Sequence, residues 1–174
     1  MPILTLLLGA YFAAVLGVSG IAKLDRPEPF RVTLRRLLPA RLVVPLSYLV
    51  PWLELAVAAS LLAGTAPLAT AWLTVLLFAT FLAVETRLVA TGQASTCGCW
   101  GLAFRQRLDA SSLAATAIQV GLALLYLQNS TQLSAVPLPY RLAVAGIVGG
   151  AEMALLLTVQ TRSILPPGRG RTAA

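Results

Sequence analysis

The sequence predicts an all-α integral membrane protein, a bundle of about five transmembrane helices with a short interfacial amphipathic helix. Two numbers lead to this prediction: 58% of the 174 residues are hydrophobic and only 11% are charged. The mean hydropathy of +0.84 agrees with them. Because soluble domains carry about 25% charged residues, this chain has too few to cover a surface that faces water.

Five apolar runs are each long enough to cross a hydrocarbon core of about 30 Å. The predicted spans are 3–22, 45–63, 67–88, 111–128 and 140–160. We assign them to one transmembrane domain over residues 1–165, followed by a disordered basic tail at residues 166–174. We expect the first run to be a span rather than a signal peptide, because charged residues follow it where a cleavage site would lie.

The segment between the first two spans, residues 28–38, is predicted to form a helix in the plane of the lipid headgroups. Phe30, Leu34, Leu37 and Leu38 recur at helical spacing, and arginines lie beside them. This pattern is typical of an amphipathic helix whose apolar side faces the membrane. A basic helix that docks on a protein partner and a disordered loop are the alternative interpretations.

The basic residues are distributed unevenly among the connections between the spans. Twelve of the 13 lysines and arginines lie on one side, in the connection after the first span, at or after the end of the third span, and after the fifth span. These are Lys23, Arg26, Arg31, Arg35, Arg36, Arg41, Arg87, Arg105, Arg107, Arg162, Arg169 and Arg171. The opposite side carries Arg141 alone. Such a bias sets membrane orientation and places the basic side in the cytoplasm, so we interpret the net charge of +7 as topology and not as nucleic-acid binding.

A short loop after the third span contains the only two cysteines, Cys97 and Cys99, separated by Gly98. A C-x-C pair can close a small disulfide ring, bind a soft metal ion, or remain unreacted. Gly98 lets the backbone bend so that the two sulfurs approach. A ring this small is strained, and strained disulfides are oxidising and labile.

Ionisable residues also occur inside or at the ends of the apolar spans. Glu54 and Glu152 lie within spans, and Lys23 lies at the end of the first. All three fall in the half of the membrane that carries the cysteine loop. Because a charged group in hydrocarbon is costly, such residues normally face the interior of the bundle and mark a functional site. We therefore expect Glu54 to lie near Lys23, either as a proton carrier or as an ion pair that holds two helices together.

Three motifs together resemble the MauE-type redox-associated membrane proteins of the broader DoxX-like superfamily. They are GIAKL at residues 20–24, PWLE at 51–54 and CGCWG at 97–101, and the resemblance covers about residues 1–128. It implies a multi-pass protein of the bacterial plasma (inner) membrane. It also implies that Cys97 and Cys99 are the redox pair, with Lys23 and Glu54 as the polar pair beneath them.

The function that this resemblance implies is that of a thiol–disulfide or electron-transfer accessory, which would act in the maturation of another protein. The expected activity is that of a thiol–disulfide oxidoreductase. With a single cysteine pair, electrons must pass directly to a thioredoxin-like partner or to a bound quinone, and the quinone is inferred by analogy alone. No other cofactor and no metal ion is expected.

Two other functions remain open at this point. The protein could be a non-catalytic structural subunit of a larger membrane complex, in which its small-residue faces serve as docking surfaces. It could also bind Cu(I), since thiolates are soft ligands. A zinc site is not expected, because two cysteines in a chain without histidine cannot supply four protein ligands of the usual kind.

The charge distribution makes a testable prediction about orientation. With five spans, the N-terminus should be outside the cytoplasm, and the cysteine loop and the tail should be inside. A phosphatase reporter fused after Ala174, which is active only outside the cytoplasm, should therefore be inactive, whereas a green fluorescent reporter at the same place should fluoresce. The opposite pair of results would overturn the orientation.

Overall fold

The computed structural model describes residues 2–92, 110–130, 137, 139–140, 142–151 and 154. Over this part of the chain every regular element is helical. The helices are α1 (Pro2–Asp25), α2 (Glu28–Leu37), α3 (Ala40–Ala63), α4 (Pro67–Ala90) and α5 (Ala110–Asn129), followed by a shorter apolar helix, α6 (Leu142–Ala151). The predicted tail and most of the second half of the predicted fifth span lie outside the described residues.

The fold class predicted from the sequence is confirmed. Four helices, α1, α3, α4 and α5, are long and apolar enough to cross a membrane, and α6 lies within the predicted fifth span. Large hydrophobic side chains are exposed along these helices, including Trp52, Trp72 and Ile118. An exposed apolar surface of this kind suits lipid and not water, so the protein is a multi-pass membrane protein.

Helix α3 begins at Ala40, about five residues before the start of the span predicted from the sequence. Proline usually marks a helix start, but Pro45 lies inside α3 and Pro39 is its N-cap residue. Gly20, near the end of α1, lies against Pro51. The first turns of α3 therefore extend beyond the end of α1, where α2 packs on them.

The core is formed by aromatic and branched side chains from different helices. The ring of Phe12 on α1 lies 5.2 Å from that of Phe78 on α4 and 6.2 Å from that of Tyr126 on α5. All three side chains are fully buried. Tilted and edge-on rings at these distances attract one another in addition to their hydrophobic contribution. This cluster joins α1, α4 and α5 in the middle of the bundle.

Helices α1 and α3 approach each other closely at Gly20. A Cβ atom placed there would lie 2.9 Å from Leu55 Cγ and 3.0 Å from the backbone oxygen of Pro51. Gly17, about one helical turn earlier on α1, has no described atom within 4 Å of such a position. The helix contact is thus made one turn nearer the end of α1, close to Lys23.

Helix α2 folds back on α3 with its apolar side against protein. Phe30 and Leu34 are buried in a small cluster with Val43 of α3. Arg31 donates hydrogen bonds to Ser47 Oγ at 3.2 Å and to the Tyr48 hydroxyl at 2.9 Å. These contacts fix α2 as the first arm of a tight helical hairpin that covers the end of α1.

Substituting Gly20 by alanine should destabilise the protein. The Leu55 side chain can shift, but the Pro51 carbonyl belongs to the backbone, and crowding of this kind costs about 1–3 kcal/mol. The better helix propensity of alanine offsets roughly 0.5–1 kcal/mol of that cost. Denaturant unfolding in detergent, followed by tryptophan fluorescence, should show a net loss of stability. The matched variant Gly17→Ala should be neutral or slightly more stable, and equal effects at the two positions would contradict the close approach at Gly20.

Candidate functional site

The most polar point inside the bundle is the ammonium group of Lys23. It donates a hydrogen bond of 2.8 Å to Ser19 Oγ, one turn earlier on α1, and another to Glu54 Oε1 on α3. The side chains of Lys23 and Glu54 are 1% and 0% exposed, so the pair is shielded from solvent and lipid. The expected proximity of Lys23 and Glu54 is confirmed, whereas a catalytic role for them stays a prediction.

Two aromatic rings complete the surroundings of the Lys23 ammonium. Its nitrogen lies 4.8 Å from the centre of the Phe81 ring on α4 and 5.3 Å from that of Phe30 on α2. A cation within about 6 Å of a ring centre is attracted by the negative face of the ring, and the attraction is stronger when water is excluded. Lys23 therefore contacts all of α1, α2, α3 and α4 through one charged group.

Glu54 retains one free acceptor. Its Oε1 receives the hydrogen bond from Lys23, while Oε2 is buried and has no hydrogen-bond partner among the described residues. A buried acceptor without a partner is costly, and in proteins it usually indicates a bound water, a proton or a functional role. Chemically, Oε2 is the atom of this site at which a proton can be held.

A second buried carboxylate lies at the same end of the bundle. Glu85 is on α4, one helical turn after Phe81, and is fully buried. Its Oε2 accepts a hydrogen bond of 2.8 Å from Thr116 Oγ1 on α5. The segment that carries the cysteines leaves α4 shortly after Glu85 and returns at the start of α5. The two buried acids thus lie on neighbouring helices, Glu54 on α3 and Glu85 on α4, at the end of the bundle where α1 and α4 finish.

At the edge of the site, Arg31 on α2 lies outside the spans. It forms an ion pair of 3.1 Å with Glu28, and that hydrogen bond is the main reason why the pKa of its guanidinium is raised above the ordinary value. Desolvation opposes this by lowering the pKa, and the hydrogen bond to the Tyr48 hydroxyl raises it further. Arg31 therefore stays charged and holds α2 over the Lys23 pair.

Three other residues were predicted from the sequence as site residues or buried acids. Cys97 and Cys99 lie in the segment 93–109, and Glu152 follows α6; all three are outside the described residues. Within the residues that the structure does describe, no three histidine, cysteine, aspartate or glutamate side chains cluster as metal ligands would.

Sequence reasoning missed the groups that surround Lys23. Ser19 could have been found, because it precedes Lys23 by one helical turn and is polar in an apolar run. Phe81 is one turn from Glu85, so it shares a helix face with a buried acid. Phe30 was assigned to the lipid-facing side of the amphipathic helix, and only the folding of α2 onto α3 shows its contact with Lys23.

The Lys23–Glu54 pair makes a testable prediction about stability. Removing one partner of a buried ion pair leaves the other charge uncompensated and costs about 3–5 kcal/mol. Lys23→Met and Glu54→Gln should each destabilise the protein to this extent in denaturant unfolding. The double variant should lose much less than the sum of the two, since neither charge is then stranded.

A matched control is Arg87→Met on the exposed side of α4. This substitution should change the unfolding free energy by less than about 0.5 kcal/mol. If the effects of the two single substitutions at Lys23 and Glu54 add in the double variant, the two side chains do not interact and the ion pair is refuted.

Comparison with known proteins identifies the family. The family model described as "Methylamine utilisation protein MauE" matches residues 1–129, which cover α1 to α5. No curated protein and no solved structure matches the chain. The matched region includes Lys23, Glu54 and both cysteines. With more than two thirds of its length matched, the chain belongs to the MauE family.

Proposed function

We propose that this protein is a membrane accessory of methylamine utilisation that acts by thiol–disulfide exchange through Cys97 and Cys99. The family description supports the physiological setting. The pair of cysteines separated by one glycine supports the chemistry, since such a ring is readily opened and closed. The partner is a thioredoxin-like protein or a quinone.

The observation that carries the proposal is the position of the buried polar cluster. Lys23, Glu54 and Ser19 lie at the end of the bundle where α4 leads into the segment 93–109. Buried charges in a membrane span are costly and are retained where they serve a function. An ionisable pair can supply and accept the protons that thiols release and take up during exchange.

A partner dithiol would reduce the Cys97–Cys99 disulfide in two steps. The thiolate of one partner cysteine attacks the Cys97–Cys99 disulfide, forms a mixed disulfide and releases one of the two thiolates. The second partner thiolate then attacks its own mixed sulfur, so that the partner leaves as a disulfide. Two electrons reach the Cys97/Cys99 dithiol, and two protons are taken up. The reverse steps return both electrons and both protons to the disulfide of a second thioredoxin-like protein. A quinone acceptor would instead take up the same two electrons and two protons and leave as the hydroquinone.

In this scheme Lys23 and Glu54 supply and accept protons beneath the loop. Oε2 is the oxygen of Glu54 to which Lys23 does not donate, so it is the atom that would hold the proton. Lys23 keeps the carboxyl oriented by its bond to Oε1, and the bond to Ser19 fixes the ammonium in turn. These two residues position and exchange protons; the bonds that form and break are those of sulfur.

A structural role is the second candidate, and one observation favours it. The Lys23 ammonium contacts four helices, as an ion pair that only holds a bundle together would. On this alternative the protein is a non-catalytic subunit of a larger membrane complex, and the cysteines are dispensable. The alternatives differ in their response to loss of the thiols.

Replacing Cys97 or Cys99 with serine should abolish exchange with a partner while the bundle remains intact. The wild-type protein should lose two free thiols on mild oxidation and regain them with dithiothreitol, as measured by thiol trapping in intact cells and in purified protein. Each single variant should instead accumulate a mixed disulfide with its partner, because the second cysteine needed for release is missing.

The matched control is Ser95→Ala in the same segment. This variant should still lose two free thiols on mild oxidation and regain them with dithiothreitol. Unfolding free energies of all these variants should agree within about 0.5 kcal/mol. If both thiols stay free in redox buffers from strongly reducing to strongly oxidising, the exchange activity is refuted. Unchanged physiological function after replacing both cysteines would favour the structural alternative.

A further inference from the structure

We propose that the corner between α2 and α3 binds the headgroup of an anionic phospholipid through Arg35 and Arg41. The proposal is independent of the thiol chemistry. It starts from the charge of residues 29–53, a segment with four arginines and no aspartate or glutamate. Three of these arginines flank the corner itself, Arg35 and Arg36 at the end of α2 and Arg41 at the start of α3. Arg36 has an interaction within the protein, so the proposal uses Arg35 and Arg41.

The hairpin places the two arginines at about the same level, close to the corner. Leu38 and Pro39 are the only residues between α2 and α3, and both are extended, with ψ of 154° and 144°. Arg31, seven residues before this connection, bonds Ser47, eight residues after it. Positions equally distant from the corner therefore lie at about the same level of the hairpin, so Arg35 is level with the first turn of α3, where Arg41 lies.

The two arginines differ from Arg31 in what they contact. Arg31 is engaged by Glu28, Ser47 and Tyr48 and holds the hairpin together. Arg35 and Arg41 are exposed, and neither forms a hydrogen bond or ion pair with the residues that the structure describes. Their charges are available to an external anion.

The apolar side of α2 cannot supply membrane binding, because it is used within the protein. Phe30 and Leu34 are buried against α3 and the Lys23 cluster. What α2 and α3 expose beside the arginines is a small apolar surface that includes Val32 and Leu42, 42% and 41% exposed. Guanidinium groups next to exposed aliphatic side chains match a phosphate joined to acyl chains.

The position of the corner relative to the membrane favours a lipid headgroup over a soluble anion as the ligand. Arg41 lies in the first turn of α3, which is one of the four helices able to span the membrane. The start of such a helix lies at the level of the lipid headgroups, where arginine meets phosphate. Arginine also presents a planar group that can bond two phosphate oxygens at once. A binding surface at this depth faces the anionic lipids of its own leaflet.

The test uses the full chain in detergent, titrated with phosphatidylglycerol or with phosphatidylcholine of the same acyl chains and followed by native mass spectrometry. Wild-type protein should bind phosphatidylglycerol preferentially, and the preference should weaken as the salt concentration rises. The double variant R35Q/R41Q should bind it about 30-fold more weakly, as expected for two arginines near a membrane surface. R87Q, which removes a charge from α4 instead, should bind like wild type.

A charge-retaining variant keeps the test informative if R35Q/R41Q folds poorly. R35K/R41K should retain a clear preference for phosphatidylglycerol with a modest loss of affinity, because lysine keeps the charge but not the two-pronged contact. Equal binding of the two lipids by the wild-type protein would overturn the proposal. So would equal losses in R35Q/R41Q and R87Q. Displacement of the lipid by millimolar inorganic phosphate would instead show a site for free phosphate, and the lipid assignment would then be wrong.

Discussion

The contacts of one ammonium group determine how the end of this bundle is built. Lys23 is buried in a membrane protein, and it is stabilised by one carboxylate, one hydroxyl and two aromatic rings from four helices. A lone lysine at this position would be too costly to bury. The close approach of α1 to α3 at Gly20, the return of α2 and the register of α4 all serve to bring these partners within reach.

The sequence predicted the charged partners well but not the aromatic ones. Lys23 and Glu54 are recognisable because ionisable residues are rare in apolar spans. Two such residues of opposite charge in the same half of the membrane predict an ion pair. Phe30 and Phe81 do not stand out, since phenylalanine suits lipid and protein equally and hydropathy cannot separate the two environments. Their assignment depends on the rotation of each helix, which no local pattern encodes.

Because helix rotation and packing are not encoded locally, the structure also differs from the sequence-based prediction at Gly20 and at the start of α3. Several small residues on α1 could form a helix contact, and only the rotation and crossing of the helices select Gly20 over Gly17. The predicted span starts at residue 45, yet α3 begins at Ala40, and its first turns pack on α2 through Val43. In both cases tertiary packing decided what the sequence pattern left open. The cysteine pair, by contrast, is recognised from the sequence alone.

The family assignment indicates the physiological setting of the protein, and the polar cluster constrains its mechanism. Membership of the MauE family follows from the match over most of the chain, and it supplies a physiological setting. The geometry adds a physical constraint: the Glu54 carboxyl is buried in a span, and its Oε2 has no hydrogen-bond partner among the described residues. Any mechanism for this protein must account for the charged pair that Glu54 and Lys23 form there.

The 31 residues that separate Lys23 from Glu54 also have a consequence for biogenesis. The lysine is made first, and at ribosomal rates of about 5–20 residues per second its partner follows roughly two to six seconds later. During that interval α1 has an uncompensated cation at its end, which its long side chain can keep at the polar surface. The lysine can be buried only after α3 has been synthesised and inserted. Its charge therefore delays the final packing of α1 until α3 is present.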